Sequence, residues 1–120
     1  MADSPLITKS KEFALQVIKV CNYVKQNKKE SVLTNQLIRS GTSVGANVKE
    51  AAFAQSKADF QAKIFIAQKE CAETEYWLEL LYESDYINKT EFDSIYRDCQ
   101  ELMKILVSST KTLQGKNSKE

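Results

Sequence analysis

The sequence predicts an all-α fold, a single antiparallel up-down-up-down four-helix bundle spanning residues 1–120. Apolar residues recur at steps of three and four along four separate segments, the period of a helix with one buried face. One proline and three glycines are too few for the many turns of a β-sandwich. Short polar links between the segments leave consecutive helices antiparallel. A chain of 120 residues can bury about two-thirds of its unfolded surface in one core without metal or disulfide staples.

The first helix is expected over about residues 8–27, with Phe13, Val17, Val20 and Val24 on one stripe and Ala14 and Cys21 widening it. Asn27 is a candidate left-handed C-cap, and the exposed turn "NKKES" follows. Ser31 is placed to cap a second helix over residues 31–54, whose face is Leu33, Leu37, Val44, Val48 and Ala51. Ser56 opens a third helix, 57–84, with Asp59 in the third position of a capping box. Phe60, Ile64, Ala67, Cys71, Leu78 and Leu81 form its core face, and Phe53, Phe65, Tyr76, Trp77 and Leu80 widen the apolar surface. A helix apolar over so much of its girth touches more than its bundle partners. Asn88 and Glu91 are spaced as cap and third-position partner for a fourth helix, 89–114. Phe92, Ile95, Cys99, Leu102 and Leu106 line that helix, Gly115 is expected to end it, and "KNSKE" reads as a frayed tail.

Composition excludes several chemistries. There is no histidine, which removes Ser-His-Asp and Cys-His nucleophile systems, histidine metal sites and the Glu-x-x-His di-iron motif. Cys21, Cys71 and Cys99 are odd in number and widely spaced, and each falls on an apolar stripe, so they read as buried reduced thiols. No catalytic residue, metal ligand or cofactor site is expected. No apolar run is long enough to span a membrane. "MADSPLITKS" has no apolar region of the secretory type, so the cytoplasm is the expected location.

The stretch Ser40 to Ala51, "SGTSVGANVKEA", carries two of the glycines, Gly41 and Gly45. A phosphate-binding loop needs a preceding strand and a Gly-Lys-Ser/Thr ending, and neither is here. A hinge is conceivable, since each glycine costs a helix interior about 1 kcal/mol relative to alanine. The apolar phase nevertheless runs through both glycines unbroken. With Ser40, Ala51 and Ala52 they form a small-residue patch suited to close approach by another helix.

Ser43-Val44-Gly45-Ala46-Asn47-Val48-Lys49-Glu50-Ala51 resembles the signature S-I-P-A-N-I-A-E-G of the four-helix proteins named after intervening sequences of 23S ribosomal RNA. Ser43, Ala46, Asn47 and Glu50 match, while Gly45 replaces the usual proline and Ala51 the usual glycine. Ile66-Ala67, Glu73, Glu75 and Leu78 are also similar to the family, as is "DYI" at 85–87, where "GYI" is common. The likeness covers roughly residues 8–113. It implies a small bundle that assembles into rings, commonly pentamers, with no assigned catalytic activity. A related branch serves diversity-generating retroelements, binding nucleic acid and a reverse transcriptase. For Ser43, Asn47 and Glu50 the expected role is a buried hydrogen-bond cluster tying helices together, with a ligand site as the alternative.

Net charge is +1, but it is unevenly spread. Residues 1–49 hold eight basic and three acidic residues, and residues 50–101 hold five and twelve. Glu75, Glu79 and Glu83 follow each other at steps of four along one side of the third helix. They are candidates for pairing with a basic surface of a second copy, although solvated glutamates are equally ordinary. Lys25, Lys28, Lys29 and Arg39 are the candidate basic surface, and together with Lys19 they are the candidate site for RNA or DNA. Only Tyr23 offers an aromatic ring among the lysines, so a merely solvated lysine face is the competing reading. The function that these observations and the resemblance imply is a non-enzymatic oligomeric scaffold, a pentameric ring, with nucleic acid as a candidate partner. The alternative is a protein–protein interaction module with no nucleic-acid role.

Overall fold

A computed structural model describes the backbone of residues 4–119 and the side chains of residues 5–110. Four helices follow one another: α1 (Ser4–Lys28), α2 (Val32–Ala51), α3 (Lys57–Glu83) and α4 (Lys89–Lys119). Each packs on its neighbour in the chain, and α4 returns to close against α1. Among the described residues the diagonal pairs α1–α3 and α2–α4 do not approach each other. The bundle is therefore a square with helices in sequence order around it.

The core lies between the predicted stripes. Phe13, Val17, Cys21 and Val24 of α1 face Leu37, Val44, Val48 and Ala51 of α2, with Ile64, Ala67, Cys71, Leu78 and Leu81 of α3 and Ile95, Cys99, Leu102 and Leu106 of α4 completing it. Val20, Leu33 and Phe92 pack at its margin. Polar residues share these inner positions where their hydroxyls find partners. Thr74 Oγ1 lies 2.9 Å from Ser40 Oγ and 2.8 Å from the Glu70 carbonyl, with both hydroxyl-bearing residues fully buried.

Several helix ends differ from expectation. The first helix starts at Ser4 rather than residue 8, because Pro5 suits a first turn and Leu6, fully buried, extends the stripe by two turns. Asn27 is helical and donates to the Tyr23 carbonyl; Lys29, at φ 57°, is the left-handed residue. Ser31 flanks α2 but makes no side-chain cap. Its neighbour Glu30 does so instead, accepting from the amides of Leu33 at 2.7 Å and Thr34 at 3.0 Å. The second helix stops at Ala51 rather than 54, as the amides of Phe53 and Ala54 turn to the carbonyls of Glu50 and Ala51. Phe53 thus sits in a turn, 78% exposed, and not on α3. The fourth helix runs through Gly115, since one glycine costs a helix about 1 kcal/mol and does not by itself end it. Of "KNSKE", residues 116–119 are helical and Glu120 lies outside the described residues.

The two predicted capping boxes are present. Ser56 Oγ accepts from the Asp59 amide at 3.0 Å, while the Asp59 carboxylate reaches back one residue further, to the amide of Gln55. Asn88 Oδ1 accepts from the Glu91 amide at 2.8 Å, and Glu91 returns the bond to the Asn88 amide.

Candidate functional site

The glycine stretch lies wholly inside α2 with no break, so it is neither loop nor hinge. A methyl group built on Gly41 would stand 2.9 Å from both γ-carbons of Val17, and one on Gly45 would stand 3.3 Å from the Ser10 carbonyl oxygen. Both glycines therefore serve the approach of α1.

Ser43, Asn47 and Glu50 occupy a different side of α2. They are half-buried or exposed, and they do not form the expected buried cluster between helices. Ser43 donates to the Arg39 carbonyl at 2.7 Å and Asn47 to the Ser43 carbonyl at 2.8 Å, both within the helix. The reason is phase: residues at 43, 47 and 50 lie about 100° around the helix from Val44, Val48 and Ala51, which fill the core. The cross-helix links come from the ends of this row. Glu50 pairs with Lys63 of α3 at 3.0 Å, raising the lysine pKa first through that hydrogen bond. Arg39 pairs with Glu73 and, at 3.5 Å, with Glu70. The indole of Trp77 donates to the same Glu73 oxygen at 2.9 Å. Low numbers on α2 meet high numbers on α3, as antiparallel helices require.

This seam is where the family signature sits, and Arg39 belongs to it rather than to the lysine group. Lys19, Lys25, Lys28 and Lys29 cluster around the last turns of α1 and the corner after it, without a salt bridge to this chain among the described residues. Lys19, Lys28 and Lys29 are exposed and Lys25 is half-buried.

The glutamate row separates into three environments. Glu79 accepts a short hydrogen bond from the Tyr96 hydroxyl of α4, which holds the phenol above its usual pKa range. Glu75 is half-buried, and desolvation, followed by the nearby Glu79, raises its carboxyl pKa. Glu83 alone is exposed. Tyr96 in turn stacks on Phe92, and Phe92 on Tyr82, so this side of α3 is covered by α4. Facing away from the bundle, α3 carries a second apolar row. Ala62, Phe65, Ile66, Ala72 and Tyr76 are all exposed, with Lys69 among them.

A recess of about 130 Å³ lies between α1 and α4, lined by Lys9, Glu12, Gln16, Asp98 and Glu101 above Phe13 and Leu102. It is smaller than the pockets of about 300–1,000 Å³ that enclose small ligands. No group of three Cys, Asp or Glu side chains able to hold a metal ion occurs among the described residues.

The model of the family described as "23S rRNA-intervening sequence protein" matches residues 3–108. The chain belongs to that family. A crystal structure from Bacteroides thetaiotaomicron, of a protein with unknown function from the S23 ribosomal protein family, is 46% identical and superposes with a TM-score of 0.87. The alignment covers 88% of this chain and 98% of that one. No curated protein matches the chain. In this member of the intervening-sequence family, the signature-like stretch lies on the α2–α3 seam, with charged pairs at both ends and small residues against α1. No described helix is long and apolar enough to cross a membrane.

Proposed function

We propose that the protein is a non-enzymatic scaffold of the cytoplasm that self-assembles into a ring, a pentamer in the simplest form that the family resemblance implies. The observation that carries this is the outward row on α3. Its inner face already fills the bundle core, yet Phe65, Ile66 and Tyr76 stay 40%, 40% and 52% exposed along the opposite side. Such a row, continuous with the charged seam, is the composition of a contact surface. A basic surface on the next copy would suit the exposed Glu83 at its edge. Glu79 is already held by Tyr96, so assembly rests on the apolar row more than on the glutamates.

Light scattering on the purified chain tests it. The expected mass is several times 13.6 kDa, and Phe65→Glu with Tyr76→Glu should reduce it to one chain with the fold retained, since both side chains are exposed. A monomer at micromolar concentration ends the proposal.

Lys19, Lys25, Lys28 and Lys29 support a second role, binding of RNA or DNA at the α1–α2 corner, repeated around the ring to give avidity. The family's name makes ribosomal RNA the first probe; a reverse transcriptase is a candidate protein partner. Fluorescence anisotropy with labelled RNA and DNA should show salt-dependent binding, lost when the four lysines are changed to Glu. Arg39 must be left intact in that control, because reversing it would set three carboxylates against one another. No binding at low salt leaves the protein-contact role alone.

A further inference from the structure

Cys71 of α3 and Cys99 of α4 meet in the core with their sulfurs 3.6 Å apart. Each sulfur also lies close to the other residue's carbonyl oxygen, at 3.4 and 3.6 Å. Reciprocal reach of this kind requires the two backbones to pass closely at this level. Both residues have zero solvent exposure and sit roughly three turns from the hairpin turn, Cys71 before it and Cys99 after it. Cys21 is different: its thiol lies 3.5 Å from the Thr34 carbonyl, with no second sulfur in reach among the described residues.

A disulfide needs its sulfurs at about 2.05 Å, so the pair must close by roughly 1.5 Å, a side-chain rotation with a small helix shift. A buried cysteine can serve as a small hydrophobe, as Cys21 does, but two thiols facing each other at this distance are also within reach of joining. We propose that Cys71 and Cys99 form a reversible disulfide that clamps α3 to α4 midway along their hairpin.

The oxidant is a low-molecular-weight disulfide. One protein thiol, as its thiolate, attacks a sulfur of that disulfide, forming a mixed disulfide and expelling one small thiolate. The second protein thiol gives up its proton and attacks the protein sulfur of the mixed bond, expelling the other. Two protein thiols and one small disulfide become one protein disulfide and two small thiols, with electrons and protons balanced. The hydrogen bond with Cys71, and then burial, raise the Cys99 pKa well above the ordinary thiol range. Thiolate is therefore scarce, and exchange proceeds during openings of the α3–α4 contact, over hours rather than seconds. Reduction waits on the same openings, so the bond is removed as slowly as it forms.

The native chain should be equilibrated with oxidised glutathione, quenched with acid, alkylated under denaturing conditions and digested with trypsin. The expected product links the peptide 70–89, which carries Cys71, to the peptide 98–104, which carries Cys99. The peptide 20–25, with Cys21, should stay outside that link. The linked sample should melt several degrees higher than the reduced one, because the bond closes a loop between residues 28 apart, and dithiothreitol should remove the gain. Free or singly glutathionylated Cys71 and Cys99 without the linked peptide would overturn the proposal. So would a linked sample that melts below the reduced one.

Discussion

Gly45 of α2 faces the carbonyl oxygen of Ser10 on α1, so closely that a methyl group on the glycine would stand 3.3 Å from it. The contact is with backbone, which cannot swing aside as a side chain can. One turn earlier Gly41 meets Val17, whose branched side chain is held by the surrounding helix. The two glycines thus set the separation of α1 and α2, and the helix-propensity cost of each is offset by that approach.

Gly45→Leu should destabilise the fold by about 1–3 kcal/mol or more through overpacking, read as a drop in the urea midpoint. Gly45→Ala should cost far less, because the alanine gains about 1 kcal/mol of helix propensity against a contact only slightly too tight. Equal stability of Gly45→Leu and the parent would remove the close-approach explanation.

Glu30 and Ser31 make a sharp pair for mutation. Glu30→Ala should cost about 1–2 kcal/mol, since it strips the amides of Leu33 and Thr34 of their acceptor at a buried helix start. Ser31→Ala should change stability by less than about 0.5 kcal/mol, its hydroxyl making no cap. Thermal melts of the two variants decide it, and the reverse order would restore the serine as the cap.

Asp85 follows the end of α3 at φ 67°, with its amide on the Tyr82 carbonyl and that of Tyr86 on the Leu81 carbonyl. This pair of bonds is a Schellman ending, a backbone position that glycine occupies with least strain. Asp85→Gly should stabilise by about 0.5–1 kcal/mol, because glycine enters the left-handed region without a side-chain penalty. Lys29→Gly, at φ 57°, should act in the same direction. A lower urea midpoint in both would contradict the strain argument.

Glu75 binds its proton more tightly in the folded chain than in the unfolded one, mainly through desolvation and then through Glu79. A raised carboxyl pKa means that the folded state holds more protons across the window above the ordinary value of 4.5, so stability falls as pH rises through it. The cost is fully present at neutral pH and absent below the unfolded value. Glu75→Gln should therefore raise the melting temperature at pH 7, and the gain should vanish near pH 4 and below. A gain independent of pH would point to packing instead.

Much of the fold was legible because the core of α3 and α4 is built from apolar side chains at unbroken helical spacing, as with Phe60, Ile64, Ala67, Ile95 and Leu102. Inner positions held by polar residues are harder to see in the sequence. Thr34, Ser40 and Thr74 are fully buried, yet a pattern that counts only apolar side chains passes over them. Leu6 lies seven residues before Phe13, and residues 8–12 between them are all polar, so the periodic run does not reach it. At the site, Ser43, Asn47 and Glu50 were recognisable as a motif, but the phase that turns them toward the seam depends on which neighbour each face meets. Charge alone puts Arg39 with the lysines, whereas its partners lie 31 and 34 residues away on another helix. Local sequence does not record that register.

The order of helices around the square also shapes how quickly the molecule can form. Three of its four faces join segments separated only by a short turn, so most apolar surface is buried after closing small loops. Topologies of this kind reach the native state in microseconds to milliseconds. Only the α1–α4 face requires distant parts of the chain to find each other, and it carries the largest entropic barrier. Hairpins can therefore be in place while the chain is still leaving the ribosome, and the square is completed when its last wall arrives.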